Sequence, residues 1–183
     1  MNNVSTISAE HTHAASEKKL FLQEVGDIII SKSELVDLDI ADLFSNRFHR
    51  WPNFREFFPI EATSQTKEII DQVVFRRFVL KEKAFNSIVL CEFKNSWNGD
   101  GKIGTAIHEL FCLVKRQENG RQGSLSVHET GTVGLSVFHV PDMNAGQLRL
   151  VNVYFENRKW NFGAGDLSYT GQWPQGTTFF FKK

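Results

Sequence analysis

From Gly120 to the C-terminus the chain alternates short runs of β-branched and aromatic residues with turn-forming residues, and nothing else in the sequence constrains the fold so tightly. Five runs are expected as strands: 124–128, 133–140, 147–155, 159–163 and 177–182. Between them stand Glu129-Thr130-Gly131, Pro141-Asp142-Met143-Asn144, Glu156-Asn157-Arg158 and Gly171-Gln172-Trp173-Pro174. Connections this short favour antiparallel neighbours.

The N-terminal half is mixed. Residues 20–30 are expected as a strand with a bend or bulge at Gly26-Asp27, and residues 39–49 as a helix capped by Asp39 and stopped by Pro52. Trp51 to Pro59 is an aromatic segment between prolines, either a short helix turning its rings inward or a lip for a ligand. Ser64 is placed to cap a short helix to Gln72, and 73–82 and 88–94 read as strands joined by a turn through Asn86. Asn98 to Gly101 is a loop. Over 102–117, Ile103, Ala106, Ile107, Leu110, Phe111, Leu113 and Val114 share one half of a helical wheel, which sets His108, Cys112, Lys115 and Arg116 on the other half. The expected fold is therefore α+β. An antiparallel sheet of five to seven strands, a roll or half-barrel, packs on one main amphipathic helix, with short helices N-terminal to it. Residues 1–18 contain no aromatic side chain and read as a mobile tail, leaving 19–183 as a single domain.

Charge and cysteine content narrow the function classes. Lys and Arg number 21 and so do Asp and Glu, so the formal net charge is zero and binding of nucleic acid by blanket phosphate neutralisation is not expected. Two cysteines, Cys91 and Cys112, are too few for a disulfide framework and read as free thiols in a reducing compartment. With no apolar leader and no apolar run near 18 residues, a cytoplasmic protein without membrane association is expected. The pair His11-x-His13, and the scattered His108, His128 and His139, have no ligand spacing that calls for a metal, and no cofactor is expected.

One motif points to chemistry. Glu92-Phe93-Lys94 closes an apolar run and is followed by a loop and an amphipathic helix. On a strand, Glu92 and Lys94 share a face. Residues 64–117 thus resemble the core of the PD-(D/E)xK nuclease family. The resemblance implies a Mg²⁺ held by Glu92 with Asp71 or Asp100 as second acid, and Lys94 positioning or activating the attacking water. Alternatively, a hairpin turning near residues 84 and 85 sets Glu92 opposite Arg77 in a structural ion pair.

The other constellation is aromatic. In 147–155, Val151, Val153 and Phe155 form one face and Leu148, Leu150, Asn152 and Tyr154 the other, so both faces need a cover. Trp160, Tyr154, Trp173 and Asn152 are the expected lining of a ligand site on the curved sheet, rings stacking and the amide orienting the ligand. The favoured reading is a non-catalytic binding or interaction domain for a small apolar or aromatic ligand or a protein partner. A second copy of the chain covering the sheet face, as a homo-oligomer, is the third reading.

Overall fold

The run Thr178–Lys182 holds three consecutive phenylalanines and so sets an aromatic ring on each face of the strand. In the computed structural model it lies in the middle of a seven-stranded sheet. The structure describes residues 20–36, 48–59, 72–96, 107–117, 120, 123–125, 134–142 and 146–183. The strands are β1 (Leu22–Ser31), β2 (Phe48–Arg50), β3 (Gln72–Leu80), β4 (Ala84–Phe85), β5 (Ser136–Pro141), β6 (Leu148–Glu156), β7 (Lys159–Asp166), β8 (Gln172–Trp173) and β9 (Thr178–Lys182). The helices are α1 (Lys32–Val36), α2 (Pro52–Phe57), α3 (Asn86–Ser96) and α4 (Ile107–Arg116).

The main sheet runs β1-β3-β9-β5-β6-β7-β2, and β4 pairs with β8 in a separate ribbon. The expected antiparallel sheet on one main helix is corrected here in two respects. First, the sheet is mixed. β9 is antiparallel to β3 but parallel to β5, and β2 is parallel to β7. The C-terminal run does not extend the meander of β5, β6 and β7 but returns to fill the gap beside β3, where both its faces are covered. Second, the run expected as strand 88–94 is helix α3, because Asn86, Val89 and Phe93 recur at helical spacing and are all buried. Residues 48 and 49, expected to end a helix, fall in β2, and Gln72, expected to end the helix from Ser64, opens β3; the rest of both helices, the loop 98–101 and the tail 1–18 lie outside the described residues. The bulge at Gly26 is present: the β1/β3 register slips between Glu24 and Gly26, and Gly26 has φ +106°.

Each face of the sheet carries a core. On the first face Ile30, Phe75, Phe138, Val153, Phe162 and Phe180 pack under α4 and under Phe54 and Phe58 of the α2 segment. On the second, Phe78, Phe179 and Phe181 meet Val89 and Phe93 of α3 and Trp173 of β8. Phe93 stacks on Phe181 at 3.5 Å. The α4 helix is buried on all sides over 107–114, so the half-exposed helix expected from the wheel is also corrected. Its second side is covered by α1. Glu34 reaches back to the start of α1, its carboxylate accepting the Ser31 N–H at 2.9 Å and the Ser31 hydroxyl at 2.7 Å and also binding Arg116. Cys112 is consequently buried against the Glu34 carbonyl rather than exposed, and burial together with the Glu34 charge pushes its thiol up to about 11.

Candidate functional site

The helix α3 and the β4/β8 ribbon cover the second face of the sheet only in part. Over β6 and β7 that face opens into a cleft of about 630 Å³. Its floor follows from alternation along β7. Phe162 and Ala164 turn to the first core, so Gly163 and Gly165 turn to the second face, where Gly165 presents bare main chain. A Cβ at Gly163 would collide with the Asn152 amide oxygen lying across it, whereas a Cβ at Gly165 would meet nothing within 4 Å.

Aromatic rings form the walls. Tyr154 stands beside Leu150 and Asn152 on β6, and Trp51 enters from the turn before α2. The indole Nε1–H of Trp51 donates to the Tyr154 hydroxyl at 3.1 Å, which ties the two rings across the sheet edge. Opposite, Tyr169 leans on Trp173 with ring centroids 4.9 Å apart. Trp173 is fixed from behind: its Nε1–H donates to Asn86 Oδ1 at 3.1 Å, and the Asn86 amide donates in turn to the Leu167 carbonyl. Asn53 of α2 closes the rim by donating its side-chain amide to the Ala164 carbonyl, where β7 has run past its pairing with β2. Trp51 and Tyr169 keep nearly half their surface exposed, so the cleft is open to solvent.

Three of the four residues expected to line a ligand site, Asn152, Tyr154 and Trp173, come together here. Trp160 does not. It pairs with Phe155 on the first face, is 1% exposed, and donates its Nε1–H to the Gln117 carbonyl inside the core. Both readings of the Trp51 to Pro59 segment are met in part, with Trp51 at the cleft rim and Phe54 and Phe58 turned into the core, whereas Tyr169 and the two glycines were outside the expected lining. The Gly-x-Gly pattern inside a strand was the available signal, since glycine there leaves room for something to approach the backbone.

The E-x-K residues are arranged differently from the nuclease resemblance. Glu92 lies on α3, is buried, and its two carboxylate oxygens accept the main-chain N–H groups of Phe21 and Leu22 at 2.8 and 3.0 Å. A carboxylate committed in this way does not fit as a Mg²⁺ ligand. Arg77, expected opposite it, pairs in register with Gly26 and Phe180 instead. Lys94 belongs to α3, but its side chain, like Asp71 and Asp100, lies outside the described residues. Among the described residues no group of three His, Cys, Asp or Glu is placed to hold a metal, and no helix is long and apolar enough to cross a membrane. His108 and His139 are both buried, on opposite faces of the sheet, while His11, His13 and His128 lie outside the described residues.

His139 is stacked on Phe181 at 5.3 Å, and neither ring nitrogen has a hydrogen-bond partner among the described residues. Desolvation holds its pKa down at about 4. Its cross-strand neighbour is Leu150, which lines the cleft. The chain matches no protein-family model, no curated protein and no solved structure.

Proposed function

We propose that this protein is a non-catalytic cytoplasmic binding module that takes a small apolar or aromatic ligand into the cleft over β6 and β7. One observation carries the reading: four aromatic side chains surround the bare main chain of Gly165. Rings at the rim with the open main chain of Gly165 between them leave a slot that another flat, apolar body fills. The volume lies in the range of small-molecule sites, roughly 300–1,000 Å³. Tyr154 and Trp173 supply stacking surface and Asn152 the orienting group, with Trp51 and Tyr169 as the outer walls.

Gly165→Val tests this directly. The new side chain projects into the open cleft without touching the protein, and a β-branched residue suits a strand. The variant is expected to melt within a few degrees of the wild type. A thermal-shift screen of small aromatic compounds should give hits on the wild type that vanish on Gly165→Val. Hits that survive the substitution place the ligand elsewhere and overturn the reading.

A further inference from the structure

The polar groups of the cleft specify more than an aromatic body, and what they specify rests on the cleft being a ligand site as proposed above. Among its described lining residues none carries a charge. A phosphate, carboxylate or ammonium group entering it would lose water and gain no counter-charge. Asn152 is half-buried, and its carboxamide has no hydrogen-bond partner among the described residues. It therefore offers a donor and an acceptor side by side in one plane. Tyr154 takes the Trp51 N–H on its oxygen and keeps its own hydroxyl hydrogen to give. A plain hydrocarbon ring would leave these groups unpaired in an apolar slot, and that is costly. A sugar would turn hydroxyls toward Leu150 and the aromatic rings as well as toward Asn152.

We propose that the cleft selects an uncharged, flat heteroaromatic ring with an amide- or amidine-like edge, of the kind a free nucleobase carries, and discriminates against phosphorylated forms. The ring lies between the aromatic walls over Gly165, beside the Asn152 carboxamide that covers Gly163. Its edge pairs with the Asn152 carboxamide, as an asparagine pairs with the edge of adenine.

The test titrates adenine, hypoxanthine and uracil against indole, glucose and AMP. Binding is followed by tryptophan fluorescence and by the side-chain amide resonances of Asn152. At least one base is expected to bind more tightly than indole and to shift the Asn152 resonances, with AMP weaker than adenine. Asn152→Leu should weaken that base by about tenfold, the scale of one bidentate pair, and a variant that weakens the base no more than it weakens indole overturns the pairing. Asn152→Asp keeps the shape while removing both amide hydrogens, and gives the same reading if the leucine variant does not fold. Bases that bind no better than indole, AMP that binds as well as adenine, or glucose as the preferred probe each overturn the ligand class. If indole binding is meanwhile abolished by Gly165→Val, the binding module itself stands. A wild type that binds none of the six overturns both.

Discussion

Glu92 anchors the start of β1 by accepting the main-chain hydrogens of Phe21, just before the strand, and of Leu22, its first residue. Replacing it with alanine removes the acceptor from both bonds, one of them buried, and should cost about 3 kcal/mol. Denaturant unfolding of Glu92→Ala measures this, and a loss below about 1 kcal/mol contradicts the assignment. Added Mg²⁺ should leave the wild-type melting temperature unchanged. His139 makes a second residue-level demand. Its folded pKa of about 4 lies below the ordinary 6.5, so in that interval the unfolded chain binds the proton and the folded chain does not. Stability is therefore full above pH 6.5 and falls as the pH drops toward 4, by roughly 3 kcal/mol from this group alone. In His139→Leu the slope of stability against pH between 6.5 and 4 should flatten relative to wild type, and an unchanged slope rules out the assignment.

At the scale of elements, α1 is a five-residue strap held over α4 by one arginine. Arg116 donates through Nε and Nη2 to Glu34 and through Nη2 to the Ile29 carbonyl. These contacts are the main reason the Glu34 carboxyl is held down to about 2. Its stabilising contribution is present above the ordinary carboxylate value of 4.5 and is lost as the pH falls toward 2, below the window of His139. Both partners are about one-third exposed, so Arg116→Ala should cost only about 1 kcal/mol globally. Its sharper effect is local: loosening α1 uncovers Cys112, and thiol labelling in the native state should rise from Cys91 alone to both cysteines. Labelling confined to Cys91 argues that α1 is held by its other contacts. The existence of most strands was legible in the sequence, because β-branched and aromatic runs broken by turns allow little else. The helix α3 was not, because Ile88-Val89-Leu90 looks like strand and its helical signal rests on only Asn86, Val89 and Phe93. Asn152 and Tyr154 were legible from alternation along β6, whereas Trp160 was misplaced by one residue of turn. Only Asn157 and Arg158, both at positive φ, form the loop, so Glu156 pairs with Lys159 and Trp160 falls in register with Phe155 on the core side. Once that two-residue turn is recognised, the parity of β7 sends Trp160 inward and Gly163 and Gly165 to the cleft.

At the scale of the molecule, everything depends on β9. The strands β1 and β3 form one antiparallel block and β5, β6 and β7 another, and β9 is hydrogen-bonded to both. The sequence could not show this, because pairing between distant runs leaves no local mark; only the absence of a polar face on 179–181 hinted at a central position. These three phenylalanines are at most 2% exposed. At about 2 kcal/mol each their burial approaches the whole stability of an ordinary domain. A chain ending at Thr177 should therefore lack a cooperative thermal transition and lose native near-ultraviolet circular dichroism, and a truncated chain that melts like the full one refutes the central role of β9. The order of synthesis gives this architecture a further meaning. Of the strands in the sheet, the one that joins its halves is the last to leave the ribosome. Until residue 182 emerges, the nascent protein carries two open hydrogen-bonding borders on β3 and β5, each ready to recruit a foreign strand. An early stop codon in this gene would thus yield not a shorter version of the protein but a species prone to aggregate.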